Sequence, residues 1–169
     1  MNPSFNANNI TDVKFNILWY PVRFVEKIYS LSLKILKIVP SGMVSIISGP
    51  IDAIKQTYPD KKIITFMEPR SATARSDIFQ DEFAKSLIKS DKVVILQPNP
   101  TTVKFANDLN TVKMVEDLNK SNIDAQIVEE LAELIEVIDN NAEEKNLLLF
   151  LSNSTCLGLW KSDFIKNIQ

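Results

Sequence analysis

The sequence predicts an α/β fold: a Rossmann-like open sheet, mainly parallel, with helices on both faces, preceded by an unrelated N-terminal segment. Three observations predict it. Short apolar runs, "KIITFM", "KVVILQ", "DAQIV" and "NLLLFL", recur along the second two thirds of the chain. Stretches of helical periodicity stand between them, as parallel strands require of their crossovers. A length of 169 residues with 45% apolar content suits one domain around one core.

The first fifty residues do not follow this alternation. Residues 1–13 are polar and are expected to be loose. The stretch 15–39, "FNILWYPVRFVEKIYSLSLKILKIV", is apolar but interrupted by Pro21, Arg23, Glu26, Lys27, Lys34 and Lys37. That makes it a poor transmembrane span, which needs about 20 largely uncharged residues, and a poor signal peptide. Lys27, Ser30, Lys34 and Lys37 share one helical face and Ile28, Leu31, Ile35 and Ile38 another, so a partly amphipathic helix is expected. Its three readings are packing on the domain, a poorly folded extension, and weak contact with an anionic membrane surface. Residues 1–50 carry five basic and two acidic side chains, whereas the remaining 119 residues sum to −5. The expected division is therefore 1–50 as an extension dispensable for folding, and 51–169 as the domain.

From Lys61 onward each element has its own warrant. "KIITFM" is a nearly unbroken β-branched run, read as a buried strand. A helix starting near Ser76 places Phe79, Phe83, Leu87 and Ile88 at helical spacing, opposite Asp81, Lys85 and Lys89. "KVVILQ" is the next strand, ended by Pro98 and Pro100. The following helix runs through Val112, Val115 and Leu118, with Asp108 or Asn110 as its cap. "DAQIV" is more polar and so is placed near an edge. Leu131, Leu134, Ile135 and Ile138 line a helix whose other face is acidic, a solvated surface before it is a metal site. "NLLLFL" is the most apolar strand and is placed centrally. The turn "SNSTCLGLW" and a short helix bearing Phe164 and Ile165 close the chain. In a parallel sheet the loops 68–76, 97–104 and 152–159 then share the carboxyl-end rim, where ligands bind.

Absences narrow the chemistry. The chain has no histidine, which removes Ser–His and Cys–His nucleophilic pairs and histidine-containing zinc sites. The single cysteine, Cys156, forms no internal disulfide, which suits a reducing cytoplasm, and is read as a small packing residue. With three glycines, the chain has neither G-x-x-x-x-G-K-[ST] nor G-x-G-x-x-G, so no nucleotide phosphate cradle is recognisable. A net charge of −2 gives no field for nucleic acid.

Three segments in order carry a family resemblance: "TYPDKK" (57–62), "EPRSAT" (68–73) with the following helix and "ILQP" (95–98), and "SNSTCLGLW" (152–160). Over about residues 51–169 the chain resembles the C-terminal domain of Mur ligases, nearest to the branch that joins UDP-N-acetylmuramate to the tripeptide L-alanyl-γ-D-glutamyl-meso-diaminopimelate. The resemblance implies a Rossmann-like third domain that closes over the site and contacts the incoming amino acid or peptide. It implies ATP and Mg2+ as cofactors of the complete ligases, bound by domains not recognisable here. No cofactor is expected to be held by this chain alone, nor amide formation by it. The family's D-[FY]-A-H-H-P segment has no counterpart in "SGMVSIISGPID". In the last turn Ser154, Thr155 and Leu157 stand where the family has glycines, and Trp160 where it has histidine.

The candidate ligand-binding residues are Arg70, Ser71, Thr73, Arg75, Ser152 and Asn153. Guanidinium pairs with carboxylate through two parallel hydrogen bonds, which suits a carboxylate-rich muropeptide. Ser71 and Thr73 either donate to the ligand or shape the turn. Glu68 is read as orienting Arg70. No catalytic residue and no metal ligand is assigned. Three functions follow: a diverged peptide-binding domain of peptidoglycan recycling, a non-catalytic remnant of a truncated ligase gene, or a membrane-peripheral module.

Overall fold

The computed structural model describes residues 22–29, 34–40, 45–69, 77, 80–97, 109–152 and 154–168, and its described side chains lie between residues 49 and 166. Two strands open it, β1 (Val22–Tyr29) and β2 (Lys34–Pro40), followed by helix α1 (Ser45–Thr57). Strand β3 (Lys62–Met67), helix α2 (Gln80–Leu87), β4 (Lys92–Leu96), α3 (Thr111–Lys120), β5 (Asp124–Val128), α4 (Leu131–Asn140) and β6 (Asn146–Leu151) then alternate. A 3-10 turn at Leu159–Lys161 and the short helix α5 (Asp163–Ile168) end the described chain.

One sheet unites all six strands in the order β1-β2-β6-β3-β4-β5. β2, β6, β3, β4 and β5 run parallel, and β1 is antiparallel to β2 at one edge. The expected Rossmann-like parallel sheet is present, with "NLLLFL" interior and "DAQIV" at an edge. β3, β5 and β6 match their expected bounds, and β4 ends one residue short of "KVVILQ".

Strand parity builds two cores. Ile63 and Met67 of β3, Val93 and Ile95 of β4, and Leu147, Leu149 and Leu151 of β6 face one way, under Ile51 and Ile54 of α1, Phe83 and Leu87 of α2, and Met114 and Leu118 of α3. Ile64, Phe66, Val94, Leu96, Leu148 and Phe150 face the other, under Leu134 and Ile138 of α4, Cys156, Leu159 and Ile165 of α5. Helices therefore cover both faces. β3 and β6 are consequently apolar along their length, since neither of their sides meets water. Thr65, buried within the first core, shares a 2.7 Å hydrogen bond with the buried Ser90 hydroxyl, so neither group is left unpaired.

The start of α3 follows capping chemistry. Asn110 caps α3, its side-chain oxygen accepting from the Lys113 N–H at 2.9 Å. Along that helix the hydrogen bond from Lys113 holds the Asp117 carboxyl below the usual carboxylate range. The buried stripe of α3 is Met114 and Leu118 with Val115 at its margin, whereas Val112, expected inside, is exposed. Ile88, expected on the buried face of α2, is likewise exposed just past the helix end. Phe79, Ser76 and Asp108 lie outside the described residues.

The N-terminal reading needs correction. Where one amphipathic helix was expected over 15–39, Val22–Tyr29 and Lys34–Pro40 are strands. Their β-branched content suits a strand, and β2 finds a partner 113 residues away, Ile35 pairing with Leu148 and Ile38 with Leu151. The register of β1 on β2 sets Glu26 opposite Lys37. The expected division at 50/51 also falls inside α1, whose Ile51 and Ile54 belong to the first core. Among the described residues no helix is long and apolar enough to cross a membrane.

Candidate functional site

The strand order contains a reversal. β3, β4 and β5 step away in one direction, and the chain then returns through α4 to place β6 on the other side of β3. Open α/β sheets bind ligands outside the carboxyl ends of the strands at such a switch point. Here that crevice lies beyond Met67 of β3 and Leu151 of β6, which are register partners.

The next residue of each strand occupies the crevice floor. The Glu68 N–H donates to the Leu151 carbonyl at 3.0 Å, extending the ladder one step. Parity sends the Glu68 and Ser152 side chains to the same face, and the Ser152 hydroxyl donates to Glu68 Oε2 at 2.5 Å. The Cys156 N–H donates to the same oxygen at 3.0 Å, and the Ser154 N–H donates to Ser152 Oγ at 2.9 Å. One carboxylate thereby ties the end of β3 to the turn after β6. Both residues are buried, Glu68 at 4% exposure and Ser152 at 1%. Beneath them Phe66 and Phe150 stack with centroids 4.4 Å apart, and Trp160 meets Phe150 edge-on at 5.1 Å.

The turn itself is tightly wound. Cys156, Leu157 and Gly158 all take positive φ, at +49°, +54° and +91°. Leu157, which stands where the resemblance places a glycine, thus adopts the left-handed conformation without the freedom glycine has there. The thiol of Cys156 is buried in the second core, in keeping with the packing role read from the sequence. At Gly158 an added Cβ would meet nothing within 4 Å. Gly158→Ala therefore costs backbone energy alone. We expect a loss of about 1–2 kcal/mol in urea unfolding, and an unchanged midpoint would contradict this reading of the turn.

A second polar group sits further along the same rim, after β4. The Thr111 hydroxyl donates to Gln97 Oε1, the Asn110 N–H donates to Gln80 Oε1 at 2.9 Å, and Gln97 Nε2 donates to Glu129 Oε1 at 3.4 Å. These bonds fasten the start of α3 to α2 and to β4, and so fix the shape of the rim.

Of the residues predicted from sequence, Ser152 lies in this crevice, whereas Arg70, Ser71, Thr73, Arg75 and Asn153 lie outside the described residues. Glu68 holds Ser152 and the Cys156 amide, while its reading as orienting Arg70 falls on a residue outside the described ones. No local signal announces the Glu68–Ser152 pairing, which depends on the register of β3 on β6. Among the described residues no group of three or more acidic or cysteine side chains is placed to hold a metal ion. The acidic residues Glu133, Glu136 and Asp139 of α4 form an exposed helix face.

Comparison with known proteins places this geometry. No protein-family model matches the chain. In sequence it is 23% identical over 106 residues to the UDP-N-acetylmuramate–L-alanine ligase of Ruthia magnifica, covering 62% of this chain and 22% of that enzyme. It is 47% identical over 49 residues to the same-named ligase of Ligilactobacillus salivarius, covering 29% of this chain and 11% of that enzyme. The chain thus matches about a fifth or less of the length of these relatives. In structure it is similar to a crystallised domain attributed to a UDP-N-acetylmuramate:L-alanyl-γ-D-glutamyl-meso-diaminopimelate ligase of Haemophilus ducreyi, with TM-score 0.57 and 20% identity over 84% of this chain and 98% of that one. The murein peptide ligase of Psychrobacter arcticus is similar with TM-score 0.61 and 19% identity, over 80% of this chain and 28% of that one. The UDP-N-acetylmuramate–alanine ligase of Thermotoga maritima gives 0.55 and 19%, over 86% and 28%. These shares exceed what the 119 residues from 51 onward provide out of 169, so the likeness reaches into the first fifty residues. The chain has the α/β fold of a Mur ligase domain and resembles Mur ligases in sequence over a part of their length.

Proposed function

We propose that this chain is a diverged peptide-binding domain of the Mur ligase type, engaging a carboxylate-rich muropeptide of peptidoglycan recycling at the rim between β3 and β6. The observation that carries the reading is the Glu68–Ser152 hydrogen bond at the switch point. It joins the two segments, "EPRSAT" and "SNSTCLGLW", that most resemble the family's ligand-facing loops. Arg70, two residues past Glu68, is the main carboxylate contact in this proposal, with Ser71, Thr73, Arg75, Ser152 and Asn153 around it. Support also comes from the solved relatives whose names specify the L-alanyl-γ-D-glutamyl-diaminopimelate substrate or a murein peptide. Amide formation would require ATP and metal, for which this chain carries no recognisable phosphate loop, so binding is the activity proposed.

Arg70→Ala is the direct test. A charge-assisted arginine–carboxylate contact contributes roughly 1.5–3 kcal/mol, so calorimetric affinity for L-alanyl-γ-D-glutamyl-diaminopimelate should fall about ten- to a hundredfold. The melting temperature should stay nearly constant. Unfolding of the variant, or unchanged affinity, would make Arg70 structural or irrelevant.

A further inference from the structure

Three consecutive residues of the last turn hold positive φ: Cys156 at +49°, Leu157 at +54° and Gly158 at +91°. Glycine alone takes this conformation freely, so Cys156 and Leu157 each carry a steric cost. The closed turn also leaves Glu68 Oε1 buried with no hydrogen-bond partner among the described residues, which is a second cost. The polar hold against both centres on one group. Glu68 Oε2 accepts from the Ser152 hydroxyl and the Cys156 N–H, and Ser152 Oγ accepts from the Ser154 N–H. Two further bonds, from the Gly158 N–H to the Thr155 carbonyl at 3.1 Å and from the Leu159 N–H to the Cys156 carbonyl at 2.9 Å, close the turn on itself without reaching the sheet.

We propose that the Glu68 carboxylate is the clasp of a local opening unit. Engaged, it keeps the turn wound and the polar groups of the rim spent on one another. Released, it lets residues 154–158 unwind while the sheet stays intact. Opening relieves both costs together, because Cys156 and Leu157 return to negative φ and water reaches Oε1. It also frees, at one place on the rim, a carboxylate, a hydroxyl and two backbone N–H groups that the closed turn satisfies internally. The sheet beneath has its own support: the Glu68 N–H donates to the Leu151 carbonyl, and β3 and β6 are in register from Lys62–Asn146 to Met67–Leu151. Burial of Cys156 in the second core favours the closed form, so the turn returns after each opening. Strain of this kind persists only where surrounding contacts impose it, and segments that open locally come from the least stable part of a fold.

Amide hydrogen exchange of the full chain, isotopically labelled and followed by NMR without ligand, is the test. The Ser154 and Cys156 amides should share one opening constant, about tenfold or more above that of the β3–β6 ladder amides, and insensitive to low urea. Exchange of turn and ladder together, through global unfolding alone, would overturn the proposal. Glu68→Gln keeps the shape and removes the charge. It should raise opening at Ser154 and Cys156 about five- to thirtyfold, as a charged hydrogen bond becomes a neutral one, with the ladder little changed. An equal rise in turn and ladder would make Glu68 merely structural and overturn the clasp. Leu157→Gly and Leu157→Ala both delete the side chain but differ in their tolerance of positive φ. The glycine variant should open about fivefold less than the alanine variant. The reverse order, usual where φ is negative, would show that no strain is held there and would also overturn the proposal. Exchange in the unaltered chain decides the matter even if a variant does not fold. No ligand enters the test, so its failure leaves the peptide-binding reading standing.

Discussion

A chain beginning at Ile51 should lose cooperative unfolding. The cut removes β1 and β2 and the first six residues of α1. It strips the partner from β6, whose Leu148, Leu149, Phe150 and Leu151 pair with Ile35, Leu36, Lys37 and Ile38. The most apolar strand of the sheet would become an edge, with a row of backbone N–H and C=O groups lacking partners, which is both destabilising and a template for aggregation. Ile51 and Ile54 would remain on a helix shortened to seven residues, Ile51–Thr57, below the length at which helices hold without support. Scanning calorimetry of the truncated and full chains should therefore show a broad, weak or absent transition in the former. A sharp transition at the same temperature would mean that residues 1–50 are an appendage, as the sequence alone suggested.

Phe150→Ala carries the second large effect. Phe150 is fully buried at the centre of the second core, stacked on Phe66 and met edge-on by Trp160. Removing the ring forfeits its burial and leaves a cavity between two aromatic neighbours that do not collapse readily, so a loss of about 3–5 kcal/mol is expected. Against a domain stability of roughly 5–15 kcal/mol this leaves a marginal fold. Urea unfolding followed by circular dichroism measures the loss. Indole fluorescence should change as well, because Trp160 loses its neighbour. A cost under about 1 kcal/mol would show that the stack does not organise the core as described. Phe150 lies two residues before Ser152, so the same variant should also loosen the rim.

What could be read from the sequence was what local pattern determines. β3, β4 and β6 were legible because strands buried on both faces write themselves as unbroken apolar runs between turn residues, and β5 as a shorter, more polar run suited to an edge. The Asn110 cap was legible because a side-chain oxygen three residues before a helical N–H is a local interaction. β1 and β2 were not, because their stabilisation comes from β6, more than a hundred residues away, while the lysine spacing at 27, 34 and 37 happens to fit a helix. The stripe of α3 was read through Val112, yet Met114 is the buried residue, since the neighbours of a helix decide which side of a broad apolar arc turns inward. The position of Ser152 at the rim was legible from its place after an apolar strand. Its bond to Glu68 was not, because the two are 84 residues apart and meet only through the register of β3 on β6. Left-handed geometry at Leu157 was likewise hidden, since leucine gives no sign of positive φ.

The central claim is that the β3–β6 rim binds a muropeptide, and amide chemical-shift mapping tests it most directly. The full chain, isotopically labelled, would be titrated with L-alanyl-γ-D-glutamyl-diaminopimelate. The account predicts saturable shifts concentrated at Glu68, at residues 70–76 and in the turn 152–158, with the exposed face of α4 and the β5 edge unmoved. Shifts confined to those distant surfaces, or no shifts at millimolar peptide, would contradict it.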